Sequence, residues 1–318
     1  MLRLATFDWI DSVTLTRDIV TPGDRNEFFN RVNAGEFVAM RRGAYVRAAE
    51  WAAMDRESQA RMRIKAVVAF GDRDFVVSHQ SAAAMWRLPW VGQKSTRTDV
   101  LSDFASGGRS NAILRRHAVG MPELTELIDG IRVTSIARTV RDIACEASFL
   151  QSVVVADAAL HRSGWQVDGV PTTDLSKDVL RSELDQVAVR HGTARAARAI
   201  EFSNGVSDSP GESVSRVNMK LAHLSMPELQ VPLRGASGHT WWVDFWWPDF
   251  NLIGEFDGDT KYTDPRFLNG RTPAEALRDE KQREDDLRAA NHGMSRWGWK
   301  TAMSLPALRE QLVRAGVR

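Results

Sequence analysis

The sequence predicts a mixed α/β chain of the α+β multidomain kind, and three observations lead there. At 318 residues it is longer than one hydrophobic core ordinarily serves. Stretches with helical apolar spacing alternate with short β-branched or aromatic runs, which separates helices from strands by period. Near the end, WWVDFWWPDFNLIGEFDG (Trp241 to Gly258) has the composition of a tight hairpin. Composition bounds the rest. Basic and acidic residues number 42 and 41, a net charge of +1, so no global field announces nucleic acid and any DNA-binding face must come from local clustering. The single cysteine, Cys145, excludes a disulfide scaffold and a cysteine-rich zinc site, and its apolar helical context predicts a core thiol. The start MLRLATFDWIDS lacks a signal-peptide core, and no run approaches the ~20 apolar residues of a membrane span. A soluble cytoplasmic protein with no membrane partner is expected.

The hairpin is the most informative segment. Its first strand is expected over Trp241 to Trp247, its turn at Pro248-Asp249-Phe250-Asn251 and its second strand over Leu252 to Asp257. Side chains alternate along a strand, so Glu255 and Asp257 share a face, and Asp244 lies on the partner strand. Carboxylates side by side repel unless a cation shares the site, and the hard, oxygen-liking candidates are Mg²⁺ and Mn²⁺. Four of the eleven tryptophans sit in WWVDFWW; most are expected in the core, with one or two outward rings available for base stacking.

The first ~50 residues read as a small helical unit ending in a ribbon. Thr14 to Asp18 offers a helix start, Pro22-Gly23 a break, and Asp24 to Asn33 a second helix carrying Phe28, Phe29 and Val32. GEFVAMRRGAYVRA then alternates as a β-ribbon with Arg41-Arg42-Gly43 at its turn. Helices followed by a basic, glycine-turned ribbon describe a winged helix-turn-helix, with Arg31, Arg41 and Arg42 as candidate DNA contacts. Beyond it, helical signals cover Met54 to Ala69, Phe75 to Val77 reads as a short strand, and Ser78 is a fitting N-cap for the next helix. His79 at that helix start is read as a structural hydrogen-bonder. Arg97 to Arg116 looks like strands around a loop, and Thr134 to Thr139 caps a helix running to Cys145.

The motifs RRGAYV, SHQSAAAMWRLP, RVTSIARTVRDIA and VVVADAAL, in that order over roughly residues 10 to 165, resemble the AbiEi family, antitoxins of a type IV toxin–antitoxin class. The resemblance implies a winged helix and a companion domain that bind promoter DNA and repress, with a partner toxin left unspecified. A polar connector follows from Ser163 to Asp178, then helices from Asp178 to His191 and Thr193 to Phe202. Arg195 and Arg198 share one face of the second and are candidate backbone contacts. Asn204-Gly205 to Pro210-Gly211 reads as a linker.

Ser209-Pro210 opens the next helix, with Glu212 in its first turn and Arg216 one turn on, a candidate partner for Glu212 or for a phosphate. With the hairpin, this order resembles the PD-(D/E)XK nucleases, closest to the very-short-patch-repair (Vsr) endonuclease group. The resemblance implies a restriction-endonuclease-like domain in which Asp244 and Glu255, joined by Glu212 and Asp257, hold Mg²⁺ or Mn²⁺. Asp257 stands where the family usually has lysine. Lys261, just past the strand, and Lys281, in the run EKQRED that resembles the group's EK-x-RED helix, are the candidate replacements. Lys281 and Glu284 are expected to share a helix face, and a last strand is expected at Met294 to Trp299.

Three domains are therefore expected: a winged helix over 1–50, an AbiEi-like middle domain with helical connector over 51–204, and a PD-(D/E)XK nuclease-like domain over 205–318. The expected function is metal-dependent endonuclease action on DNA, most naturally double-stranded, in phage defence or a mobile element; a homodimer is compatible with it. The rival is a non-catalytic DNA-binding regulator or antitoxin with a degenerate nuclease domain. All the expected ligands lie downstream of residue 205, so that piece is expected to cut alone.

Overall fold

A computed structural model describes residues 12–71, 75–102, 110–167, 169–186, 192–258 and 272–318. The chain divides into two compact units, Met1–Val155 with Arg162–Glu201, and Ala156–His161 with Phe202–Arg318. The segments 1–50 and 51–204, separate in the sequence reading, therefore contribute mainly to one unit. The fold is mixed α+β, with helices beside several small sheets.

The first unit opens with an antiparallel sheet of β1 (Val13–Leu15), β2 (Phe37–Arg41) and β3 (Ala44–Arg47) in the order β1-β3-β2. The helix expected at Thr14 to Asp18 is instead strand β1 and one 3₁₀ turn, Thr16–Asp18. Val13 and Leu15 alternate inward and pair with β3, and that tertiary pairing overrides the local signal. Pro22-Gly23, expected as a break, opens helix α1 (Pro22–Asn33). The Thr21 hydroxyl accepts the Asp24 N–H at 3.1 Å, and proline at the first position lacks only a donor that would be orphaned anyway. Phe28 on α1 is buried against the rings of Phe37 and Tyr45. Helices α2 (Ala48–Ala53) and α3 (Arg56–Phe70) complete this part, around a core of Val13, Leu15, Ala44, Val46, Met62 and Ala66. The β2–β3 turn demands Gly43. Its φ is +87°, and a Cβ there would lie 2.2 Å from the Phe70 ring.

The rest of this unit comprises α4 (His79–Met85), the parallel pair β4 (Thr98–Leu101) and β5 (Leu114–His117), and the hairpin β6 (Thr125–Ile128) with β7 (Ile131–Thr134). Helix α5 (Ile136–Glu146) follows, capped by the Ser135 hydroxyl, then α6 (Phe149–His161), whose residues Ala156–His161 count with the second unit, α7 (Lys177–Asp185) and α8 (Thr193–Phe202). The strand expected at Phe75 to Val77 reduces to bridges from Val77 to Val100 and Val133. Helix α7 ends at Asp185, and residues 187–191 of the helix expected to reach His191 lie outside the described residues. Among the described residues no helix is long and apolar enough to cross a membrane.

The second unit is built on a four-stranded sheet in the order β11-β10-β9-β8. Its elements are α9 (Pro210–Leu221), β8 (Glu228–Arg234), β9 (Thr240–Trp247), β10 (Leu252–Asp257), α10 (Pro273–Ala289), β11 (Gly293–Gly298), α11 (Trp299–Ala302) and α12 (Leu305–Arg314). The hairpin forms where the sequence predicts it. A 3₁₀ turn at Pro248–Phe250 leads into Asn251 at φ +45°, a left-handed position that asparagine tolerates. β10 and β11 run parallel, which requires a crossover, and α10 lies within that connection. Alternation splits β10 between two faces. Gly254 and Phe256 face α9: Gly254 leaves room for the Trp247 and Trp297 rings, and Phe256 lies against Gly211. Ile253 faces α10, packing with Val243 and Leu287.

Candidate active site

Glu212 enters the site at the third residue of α9. The Ser209 hydroxyl accepts the Glu212 N–H at 3.2 Å and donates to Glu212 Oε1 at 2.7 Å. The Asp208 N–H and the Gln230 side-chain amide each donate to Oε2 at 3.0 Å. Gln230 of β8 has φ +49° and lies beside Asp244 of β9, between the paired residues Leu229↔Phe245 and Val231↔Val243. Glu212 is 5% exposed. Burial, reinforced by the negative charge of Asp244, pushes its carboxyl up to about 7. Asp244 Oδ2 accepts the Phe256 N–H at 2.8 Å, just past the last β9–β10 pair, Gly254 with Phe245.

Glu255 and Asp257 share the α10 face, as alternation requires, and each meets a guanidinium there. Arg283 of α10 lies 2.6 Å from Glu255 Oε2 and donates to the Trp242 carbonyl at 2.7 Å. Arg296 of β11 grips both oxygens of Asp257, at 3.0 and 2.6 Å, and also pairs with Glu280 and Glu284. Arginines thus pair with both of these strand acids. Glu212 also feels the negative charge of Asp244.

Burial and the charge of Asp244 both disfavour an ionised Glu212, the charge pattern that a hard divalent cation would offset. Glu255 is the adjacent acid. Asp257 does not fit the ligand set expected for it, because Arg296 takes both its oxygens. Among the described residues, the group of three side chains whose ligand atoms lie within 4.8 Å of one another is in the other unit, at His79, His117 and Glu146. Lys261 lies outside the described residues. Lys281 is exposed, and its expected pairing with Glu284 on one working face fails: Glu280, Arg283 and Glu284 interact with the sheet strands, in helical phase with buried Leu287.

The six candidate DNA-contacting arginines fare differently. Arg42 and Arg198 are exposed. Arg41 is half-buried with its guanidinium 4.2 Å from the Phe70 ring centre, and burial lowers its pKa. Arg31 pairs with Glu36 at 2.9 Å and lies over Phe37. Arg195 donates to the Cys145 carbonyl. Arg216 is 4% exposed, bonded to Asp157 at 2.8 Å and to the Phe202 carbonyl at 2.8 Å, so the expected phosphate contact is replaced by an internal ion pair. Trp242, 61% exposed, is the outward ring of the aromatic run.

Sequence reasoning missed Gln230, Arg283 and Arg296 as site components, and it missed His117. Arg296 is the register partner of Glu255 on β11, a relation fixed only when a parallel pairing is known. Arg283 was legible in principle, since it lies one turn before the apolar Leu287 that fixes the phase of α10.

No protein-family model matches the chain. Two Mycobacterium tuberculosis relatives, the uncharacterized proteins MT2308 and Rv2248, are each 29% identical to it over 157 residues, 48% of this chain and 50% of theirs. The chain thus spans about half the length of the curated relatives it matches, and their names assign no activity.

Proposed function

We propose that the C-terminal unit hydrolyses phosphodiester bonds of DNA with the help of a divalent cation, and that the N-terminal unit binds double-stranded DNA through a winged-helix-like ribbon. The observation that carries this reading is the buried Glu212, its carboxyl pKa raised by burial together with the negative charge of Asp244, with Glu255 on the neighbouring strand. Glu212, Asp244 and Glu255 would hold Mg²⁺ or Mn²⁺, which when bound lowers the pKa of a water and offsets phosphate charge. Glu212, with a carboxyl near 7, exchanges a proton readily at neutral pH. Gln230, Ser209 and the Asp208 N–H fix its orientation. Arg283, ion-paired to Glu255, stands in for the missing lysine and offsets charge on the phosphate. Exposed Arg42 at the ribbon turn supplies a phosphate contact.

A second reading is favoured by a specific observation: guanidinium groups already neutralise Glu255 and Asp257. In that reading the chain is a DNA-binding regulator of the AbiEi kind, acting with a partner toxin, and its C-terminal unit does no chemistry. One experiment separates the two. Supercoiled and linear DNA are incubated with the full chain, with and without Mg²⁺ or Mn²⁺, beside Asp244→Asn and Glu255→Gln. Metal-dependent cutting that both substitutions abolish supports the nuclease. Cutting by the double variant at the wild-type rate refutes it, and intact DNA binding without any cutting by wild type selects the regulator.

A further inference from the structure

We infer that His79, His117 and Glu146 form a binding site for a transition-metal ion of the Zn²⁺ class, independent of the acidic hairpin. Three elements bring them together: His79 opens α4, His117 ends β5 and Glu146 ends α5. Glu146 Oε1 lies 3.3 Å from His79 Nε2 and 3.1 Å from His117 Nδ1, and the imidazoles stack with centres 3.6 Å apart. Both rings are buried, while the Glu146 side chain is 43% exposed.

The opposite edge of each ring is already engaged. His117 Nε2 lies 2.9 Å from Asp99 Oδ1, and His79 Nδ1 lies 3.0 Å from Ser78 Oγ. Asp99 is itself buried and held by Arg115 at 2.6 Å and by the Ser81 hydroxyl at 3.2 Å. When each outer nitrogen donates, to Asp99 and to Ser78 Oγ, each inner nitrogen presents a lone pair toward Glu146 Oε1, and one divalent ion then satisfies all three ligand atoms from a single point. Without an ion, protons fill the same place: His117 donates to both Asp99 and Glu146, and His79 donates from Nε2 while its Nδ1 accepts from the Ser78 hydroxyl. An imidazole that ligates through one nitrogen and donates through the other to a carboxylate is the usual arrangement around zinc. Two imidazoles and one carboxylate also select a zinc-like ion over Mg²⁺.

Two further features fit an ion that keeps an open position. A cavity of about 150 Å³ is lined by His79, Glu146, Arg115 and Trp90, so a water or an anionic group can reach the cluster. His79 also adopts φ +48°, a left-handed conformation uncommon for a residue other than glycine. Such conformations persist where the surrounding structure over-determines them, commonly at binding sites.

The full-length chain, stripped with EDTA, is titrated with Co²⁺ and followed by its visible ligand-field absorption, then back-titrated with Zn²⁺. One equivalent of Co²⁺ is expected to bind with a nitrogen-ligated spectrum and to be displaced by Zn²⁺. Glu146→Gln, half-exposed and able to keep its hydrogen bonds, is expected to weaken Co²⁺ binding at least about tenfold, and Asp99→Asn by about 10–100-fold through the orientation of His117. The double variant Glu212→Gln/Asp244→Asn is expected to retain the spectrum. Absence of a stoichiometric Co²⁺ band in wild type overturns the assignment even if a variant fails to fold. Unchanged affinity in folded Glu146→Gln, or loss of the band in the Glu212→Gln/Asp244→Asn protein, overturns it equally.

Discussion

Replacing Glu212 by glutamine should stabilise the metal-free protein, and only at neutral to alkaline pH. The isostere fits with one hydroxyl rotation: its carbonyl oxygen can accept from the Asp208 N–H and Gln230, and its amide can donate to Ser209 Oγ. The wild-type carboxyl is displaced from an ordinary 4.5 to about 7, first by burial and then by Asp244. A raised acid contributes its full stability below the unfolded value and loses it as pH rises through the folded one. Stability of the wild type should therefore fall by about 1.4 kcal/mol per pH unit across that window and level off above it, a loss of roughly 3 kcal/mol. Glutamine has no such loss. Urea unfolding followed by tryptophan fluorescence, in EDTA, at about pH 4 and about pH 8, isolates the site because the other titrating groups are common to both proteins. The variant should match the wild type at the lower pH and exceed it by a few kcal/mol at the higher. Saturating Mg²⁺ should close the gap by stabilising only the wild type. A pH-independent difference between the two proteins would show that Glu212 is not held against Asp244 as described.

Other consequences are more local. Arg42→Ala should lower the salt slope of DNA binding by about one, the value for one phosphate contact, whereas Arg41→Ala, which unstacks Phe70, should lower the melting temperature and leave the slope nearly unchanged. Gly43→Ala should cost about 1–3 kcal/mol in urea unfolding, since it combines a left-handed φ with a clash against Phe70. Arg296→Met removes the guanidinium that Asp257, Glu280 and Glu284 share, leaving Glu284 its pair with Arg288, and should cost about 1–3 kcal/mol in urea unfolding. An unchanged unfolding free energy would remove Arg296 from the role of neutralising these acids.

What the sequence disclosed was mostly what neighbours in the chain decide. The hairpin from Trp241 to Asp257 was legible because Pro248 and Asn251 impose the turn and strand alternation then sorts Glu255 and Asp257 to one face. Ser135 and Ser209 were legible as caps for the same local reason. The misreadings are tertiary. Val13 and Leu15 are held as a strand by β3, about thirty residues away. At Asp257, β11 sets Arg296 against both carboxylate oxygens, a pairing that no local pattern shows. His117 carried no signal in LRRH, because its partners Asp99 and Glu146 come from two other elements. Lys281 lay in a run that matched a family pattern, yet helix phase, set by Leu287, turns it to solvent.

The ion pair of Arg216 with Asp157 bears on how this molecule can be taken apart. Asp157 lies nearly fifty residues upstream of the linker at Asn204, so a fragment cut at residue 205 carries the buried guanidinium without its counter-charge. Losing one member of a buried pair costs about 3–5 kcal/mol, a large fraction of a small domain's whole stability. The piece 205–318, self-sufficient by its list of acids, is then expected to fold poorly. A shuffled or truncated gene would deliver the acids but not the scaffold. Modularity in this chain follows the reach of its charges, not the punctuation of its linkers.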